Sequence, residues 1–287
     1  MIIVTGATGL LGRAIVEQLV KRIPASEVGI SVRNPEKAAD LAALGVRVRR
    51  GDFADPASLP HAFEGATQVL IVSSNARAYG GDTLTQHDAA IAAAREAGAR
   101  RIVYTSHMGA SDVSAFSPMV DHFATETMLR ESGVPWTALR HGFYAANGLA
   151  LMGDAAATGL LAAPADGKVC WTAHADLAEA AAIILTQAPH EHGPTAPLTA
   201  SRALDLADLA AIASDLSGRA VHREVLTDAQ AREGFAARGF PEAVVGIMMG
   251  RYLASRQGEF ARVDPTLERL LGRPAISMRQ LIADKLR

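Results

Sequence analysis

Thr5-Gly6-Ala7-Thr8-Gly9-Leu10-Leu11-Gly12 decides how this chain folds. A short apolar run, Ile2–Thr5, leads into it, and Leu11, Ile15 and Leu19 follow at helical spacing, so the glycines sit on a strand-to-helix turn. Their spacing is G-x-x-G-x-x-G, a relative of the G-x-G-x-x-G dinucleotide fingerprint. Gly6 permits the tight turn, Gly9 lets the backbone approach a pyrophosphate, and Gly12 allows close packing of helix on strand. Amide N–H groups and the helix dipole then hold a diphosphate without a lysine. The stretch predicts nucleotide contacts from Gly6, Ala7, Thr8, Gly9, Leu10 and Leu11. The plainer alternative is an ordinary glycine-rich turn.

Outward from the loop the same grammar repeats. Val28–Val32 is a second apolar run and ends at Asn34-Pro35, a cap followed by a first-turn proline. That helix stops at Gly45; Val46–Arg50 forms a third run into Gly51-Asp52; Asp55-Pro56 repeats the start signal and Gly65 the stop. Gln68–Val72 and Arg101–Thr105 read as strands flanking an Ala-rich helix, Thr85–Ala97, closed by Gly98. A helix over roughly 120–131 precedes a sixth run, Val134–Leu139. Strand and helix alternating with short connections predict a Rossmann-type α/β fold, a doubly wound parallel sheet with helices on both faces. After Asn147 the rhythm loosens: Asp176 starts a helix to Leu185, Asp205–Leu216 gives another, and Thr227–Arg287 reads as several short helices. The expected organisation is a nucleotide-binding domain over residues 1–147 and a smaller, α-rich, substrate-facing lobe over 148–287, with strands able to return to the main sheet.

Composition excludes several classes. The chain has 287 residues, 28 Lys+Arg against 30 Asp+Glu for a net charge of −2, 49% hydrophobic and 20% charged residues. That is neither disordered nor fibrous, and the balance argues against nucleic acid or a polybasic membrane anchor as partner. The longest apolar stretch, Gly148 to Ala163, is broken by Asp154 and stopped by Pro164, short of the ~20 residues of a membrane span. The first apolar run reaches Gly6 too soon for a signal-peptide core. A single cysteine, Cys170, forms no internal disulfide and reads as a buried, inert thiol. The expectation is a cytoplasmic protein, monomer or homodimer.

The end of the second strand chooses the dinucleotide. An acid there holds the ribose 2′-hydroxyl of NAD, whereas an arginine suits the 2′-phosphate of NADP. The sequence reads Ser31-Val32-Arg33-Asn34 with no acid until Glu36, so Arg33 offers a planar fork to a phosphate and NADPH is the expected cofactor. A solvated arginine at a strand end is the alternative.

Taken together, these residues resemble the NmrA-like branch of the atypical short-chain dehydrogenases/reductases, and within it the bacterial NAD(P)H:quinone oxidoreductases and triphenylmethane reductase. The likeness runs over essentially the full length. It rests on Val4 to Gly9 with Leu11-Gly12, Val32 to Ala38, Arg49-Arg50-Gly51-Asp52-Phe53, Tyr104-Thr105-Ser106, His122 with Ala124-Thr125-Glu126, Leu139-Arg140, and Leu271-Gly272-Arg273-Pro274. The resemblance implies NADP contacts from the glycine loop and Arg33, from Asp52 and Phe53 at the adenine, and from Ser73 and Ser74 after the fourth strand. It also implies contacts from Tyr104 and Thr105 beside the nicotinamide half, with Arg140, His141, Gly142, Phe143 and Tyr144 after the sixth strand. The pattern departs at His141, where the family carries Asn.

Most short-chain reductases use Tyr-x-x-x-Lys, in which lysine tunes the phenol for proton transfer. The four lysines here, Lys21, Lys37, Lys168 and Lys285, are preceded at that spacing by Glu17, Arg33, Pro164 and Leu281, so the pair is absent. The corresponding segment carries His122 and Glu126, a His-x-x-x-Glu. Hydride addition to an ordinary ketone makes an alkoxide whose conjugate acid has a pKa near water's, about 15.7, and gains roughly 10²–10⁴-fold from a positioned acid. Addition to a quinone makes a phenolate, with a pKa of about 10, that solvent protonates readily; a cationic dye needs no proton at all. The absence thus counts against alcohol dehydrogenase or epimerase chemistry and favours a quinone-like aromatic acceptor. His122, oriented by Glu126 one turn on, is the candidate acid; a half-buried structural histidine is its alternative. A second reading of the whole chain is a non-catalytic NmrA-type sensor that reports nucleotide redox state to a protein partner.

Other constellations carry less. Pro189-His190-Glu191-His192-Gly193 holds a His-x-His, but two ligands on a turn are too few for a zinc site, so no metal is expected. Asp205, Asp208 and Asp215 suit caps and a solvated face. Phe240, Val244, Val245, Ile247, Met248 and Met249 suit either an acceptor pocket or an ordinary core.

Overall fold

A computed structural model describes residues 1–188 and 192–287, so the turn at Pro189, His190 and Glu191 lies outside the described residues. Six strands of the first half carry the sheet: β1 (Ile2–Thr5), β2 (Val28–Val32), β3 (Arg47–Arg50), β4 (Gln68–Ile71), β5 (Arg101–His107) and β6 (Trp136–His141). The short β7 (Phe143–Tyr144), β8 (Leu160–Pro164), β9 (Trp171–Thr172), β10 (Gly193–Pro194) and β11 (His222–Leu226) follow. The main sheet is seven-stranded in the order β10-β6-β5-β4-β1-β2-β3. Its strands run parallel, with Val4 opposite Ile30 on one side and Leu70 on the other, and β10 does return from the second half to lie beside β6. The expected doubly wound α/β fold is the one found. Strand order reverses between β3 and β4, and the crevice at the carboxyl ends of β1 and β4 is where such sheets bind ligands.

The chain divides into two compact units, each assembled from separate segments. One comprises Met1–Ser106, Asp121–Arg140 and His174–Ala196; the other comprises His107–Val120, His141–Ala173 and Pro197–Arg287. In the first, Ile3, Phe63, Ile71, Tyr104 and Trp136 centre one core. The Leu10–Leu19 helix packs on the His174–Thr186 helix, and Arg101 ties β5 to the latter by donating to the Ile184 carbonyl at 3.1 Å. In the second, Phe143, Trp171, Phe235, Tyr252 and Phe260 centre another core; β8 and β11 form a parallel pair, as do β7 and β9. Among the described residues no helix is long and apolar enough to cross a membrane, and no cluster of three or more His, Cys, Asp or Glu is placed to hold a metal.

Candidate cofactor site

The first unit gathers its predicted residues along one edge of the sheet. After β1, Gly6 adopts a positive φ of 61° and donates to the Ser31 carbonyl at 3.2 Å, while the Gly9 amide closes the turn onto the Gly6 carbonyl at 3.0 Å. Gly9 caps the Leu10–Leu19 helix without any side-chain hydrogen bond. Thr8 and Leu10 are exposed and Ala7 and Leu11 buried, so the loop offers backbone rather than side chains. The decisive glycine is Gly12: a Cβ there would stand 2.5 Å from the Gly6 carbonyl oxygen and 3.1 Å from Ala7 Cα. Both are backbone atoms of the loop, so Gly12 fixes the loop's shape directly. A tight turn leading into an uncapped helix fits a diphosphate.

Arg33 follows β2, exposed, and among the described residues it has no hydrogen-bond or ion-pair partner. Asn34 caps the next turn by accepting from the Glu36 amide at 3.0 Å, so neither Asn34 nor Glu36 replaces the missing acid at the strand end. After β3, Asp52 donates its amide to Ser58 Oγ at 2.9 Å and accepts from the Ala54 amide through Oδ1 at 3.0 Å. Phe53 packs half-buried against the first core. A carboxylate oxygen beside a flat ring suits an adenine amino group. These features fit NADPH: the loop would hold its diphosphate, Arg33 its 2′-phosphate and Asp52 with Phe53 its base.

The turn after β4 is built differently. Ser73 donates its amide to Thr105 Oγ1 at 2.8 Å, and Ser74 donates its amide to His87 Nε2, also at 2.8 Å. Ser74 Oγ donates to Gln86 at 2.5 Å and accepts from the Ala76 amide at 3.1 Å. Both serine amides of this turn are therefore engaged, and Thr105 Oγ1 also donates to Ser73 Oγ at 3.3 Å. His87 is a site residue that the sequence reading missed. Accepting from Ser74 through Nε2, it carries its proton on Nδ1 and donates to Thr125 Oγ1 at 2.8 Å; Thr125 in turn donates to the Asp121 carbonyl at 2.7 Å. Burial lowers its pKa to about 4 despite the pull of Asp121. Its signal lay in the sequence: His87, Ala90, Ile91 and Ala94 form the buried stripe of the Thr83–Glu96 helix, and a histidine heading such a stripe needs partners.

Tyr104 is fully buried, so alternation along β5 turns its ring into the core rather than onto the sheet edge. Its hydroxyl shares a hydrogen bond with His122 Nδ1 at 2.7 Å, and its ring meets His87 edge-on at 5.3 Å. Glu126, expected to orient His122, has its oxygens taken up elsewhere: Ser106 Oγ donates to Oε1 at 2.6 Å, and the Arg140 fork donates to both oxygens at 3.0 and 2.6 Å. Arg140, itself half-buried, is thus held in an ion pair with a buried carboxylate. Asp121 next to His122 is clamped by Arg77 through two bonds of 2.6 Å.

His141, Gly142, Phe143 and Tyr144 belong to the second unit. Gly142 donates to the Leu198 carbonyl at 2.8 Å, and a Cβ on it would lie 2.2 Å from Thr172 Oγ1, so glycine is required there. His141 is fully buried; Phe143 packs on Phe260 and Trp171 at 5.0 and 5.5 Å. Burial pushes the Tyr144 phenol up to about 12 and the Cys170 thiol up to about 11.

With this geometry in view, comparison with known proteins is decisive. The family model described as NAD(P)H-binding matches residues 6–188. The chain belongs to that family. It is 36% identical to quinone oxidoreductase 2 of Escherichia coli over 99% of this chain and 98% of that protein. The crystal structure of the latter with NADPH superposes with a TM-score of 0.93 over the full length of both chains. The NAD(P)H azoreductase of Xenophilus azovorans is 31% identical over 96% of this chain and 94% of that protein. The Citrobacter sp. triphenylmethane reductase complexed with NADP(H) is 30% identical over 100% of both chains, with a TM-score of 0.88. The resemblance read from the motifs therefore holds along the whole chain, and the protein is an NAD(P)H-binding oxidoreductase.

Proposed function

We propose that this protein is an NADPH-dependent reductase that passes hydride to a quinone-like or other electron-poor aromatic acceptor. The observation that carries the choice of cofactor is Arg33: a guanidinium at the end of β2, without a partner among the described residues and with no acid beside it. It answers a 2′-phosphate and has nothing to offer a 2′-hydroxyl that an acid would not do better. Full-length similarity to a quinone oxidoreductase supports the acceptor class.

The bound nicotinamide supplies the hydride. The chain's own groups hold and orient it: the uncapped helix start takes the diphosphate, and the turn after β4 is fixed in place by Thr105 and His87. No Tyr-x-x-x-Lys pair is present, and the β5 tyrosine directs its hydroxyl to His122. His122 is the group assigned the proton: its ring is half-buried and anchored through Nδ1 on Tyr104. Because the product of hydride addition to a quinone is a phenolate, that proton assists without being required.

NADPH oxidation followed with a benzoquinone, a naphthoquinone and a simple ketone tests this reading. Turnover with the quinones and little with the ketone is expected. Tight NADPH binding with no turnover of any quinone would overturn it and leave a nucleotide sensor.

A further inference from the structure

Ser106 and Arg140 each stand one residue short of the carboxyl ends of β5 and β6, neighbours in the main sheet, and that is the edge at which such sheets bind ligands. The Arg140 guanidinium is anchored from one side only. Nε donates to Glu126 Oε1 at 3.0 Å and Nη2 to Oε2 at 2.6 Å, while Ser106 Oγ donates to the same Oε1 at 2.6 Å. The Glu126 side chain is 2% exposed and that of Arg140 28%. The third nitrogen, Nη1, meets no acceptor among the described residues, nor is it sealed from solvent. Its two N–H groups therefore face open space on a planar fork whose other edge is pinned.

All these groups belong to the first unit, as does His122. Alternation puts Tyr104 and Ser106 on one face of β5. The first bonds His122 and the second Glu126, one turn apart on the Ser117–Glu131 helix, so two successive rungs join strand to helix. The half-buried His122 hangs on one rung and the open edge of Arg140 on the other. With Glu126 balancing its charge, Arg140 has no net charge to offer a standing anion such as a phosphate. What it offers is a pair of N–H groups fixed in advance, and such donors act on charge that develops during a reaction.

We propose that Arg140 is a catalytic residue for the acceptor: its Nη1 N–H groups hydrogen-bond a carbonyl oxygen of the quinone and stabilise the phenolate that forms there. Glu126 is the positioning residue that holds the fork still. The inference rests on the reading above, and it moves Arg140 from the nucleotide, where the resemblance put it, to the acceptor. The quinone takes hydride with its electron pair from the reduced nicotinamide, which is thereby oxidised. One quinone oxygen becomes a phenolate on Arg140, and one proton from His122 or solvent completes the hydroquinone.

A cationic triphenylmethane dye separates this role from a structural one, because hydride makes the dye neutral and leaves no oxyanion. Steady-state rates with benzoquinone and with the dye, and NADPH affinity by fluorescence titration, are compared for the full-length wild type, Arg140→Met, and Arg140→Met combined with Glu126→Gln. The double variant leaves no uncompensated buried carboxylate and decides should the single one not fold. With benzoquinone kcat should fall roughly 10- to 100-fold, with NADPH affinity and dye reduction preserved. Equal losses for quinone and dye, or a loss confined to NADPH affinity, would overturn the proposal. For a wild type that does not reduce the dye, tetramethyl- and dichlorobenzoquinone form the pair: the former, whose phenolate is the more basic, should lose more, and equal losses would again overturn it. Tight NADPH binding without quinone turnover by the wild type removes this role together with the reading it rests on, whereas quinone turnover with equal losses removes the role alone.

Discussion

The turns after β1 and β4 end neighbouring strands of one sheet, and they hold their backbone by different means: carbonyls take the Gly6 and Gly9 amides of the first, side chains the Ser73 and Ser74 amides of the second. The first leaves a helix start uncapped and shows only glycine, small and exposed residues to its surroundings. The second engages two successive amides with Thr105 and His87 and locks a hydroxyl onto Gln86. A turn held by its own backbone leaves the helix start open to a ligand; one held by side chains is fixed by the packing around it. The same division separates the two exposed arginines nearby. Arg33 at the end of β2 has no partner among the described residues, whereas Arg50 at the end of β3 pairs with Asp55 at 2.9 Å.

The open turn is the more fragile, because its shape depends on a missing side chain. Gly12→Val would drive a Cβ into the Gly6 carbonyl, 2.5 Å away, and a backbone oxygen at a strand end cannot step aside. The expected cost is about 3 kcal/mol or more of stability, and nucleotide affinity should fall roughly 100-fold, the worth of two charged hydrogen bonds. Thermal melting and fluorescence titration with NADPH check both. A variant that melts and binds like the wild type would show that the loop can relax and that its openness does not depend on Gly12.

The closed turn should fail with acid. His87 is held neutral, its pKa lowered to about 4 by burial, so protons bind the unfolded chain before the folded one. Its contribution is therefore complete above pH 6.5 and is lost as pH falls from there toward 4. The difference corresponds to about 3 kcal/mol. His107 in the other unit, lowered by burial to about 3, adds a slope of the same sign. His87→Gln isolates the first contribution, since an amide also offers one acceptor to Ser74 and one donor to Thr125 but takes up no proton. Denaturant unfolding at pH 7, 6, 5 and 4 should show a shallower decline for the variant by about one proton. Identical slopes would mean that His87 does not hold the turn in its neutral form.

These contrasts also mark what could be read without coordinates. Periodicity and punctuation located β1 and β2 to the residue, because buried parallel strands are unbroken apolar runs bounded by glycine or a cap, and the other four main strands to within one or two, even the Arg-rich, half-exposed β3, which Gly45 and Gly51 bracket. Asp205 was legible as a cap and does form a capping box with Asp208. By contrast β8 and β11 were not foreseen: Leu160–Pro164 is Ala-rich, and His222–Leu226 is polar and largely exposed, so neither shows the alternation that marks a strand. Within the site, the glycine loop was readable because its chemistry lies in adjacent residues. The partners of Ser74, Tyr104 and Glu126 lie between 13 and 20 positions away. Which of several polar side chains meets which is settled by packing, so Glu126 was matched with His122 in sequence while its oxygens went to Ser106 and Arg140.

The arginines sharpen the contrast at the smaller end of the scale. Arg33→Ala removes a group that nothing among the described residues holds, so its loss should fall on the ligand: NADPH binding weakens by about 1.5–3 kcal/mol, the range of a hydrogen bond to a charged group, while NADH is scarcely affected. Equal loss for both cofactors would show that the side chain does not read the phosphate. Arg50→Ala is the matched control. Its partner Asp55 is about as exposed as it is, with side-chain exposures of 55% and 45%, and such pairs contribute about 0–1 kcal/mol. The expected outcome is a shift in melting temperature near the limit of measurement and an unchanged ratio of NADPH to NADH affinity. If that ratio fell as it does for Arg33→Ala, Arg50 would have to leave Asp55 for the phosphate. The division between engaged and open groups would then describe the free protein alone, with nucleotide binding redrawing it.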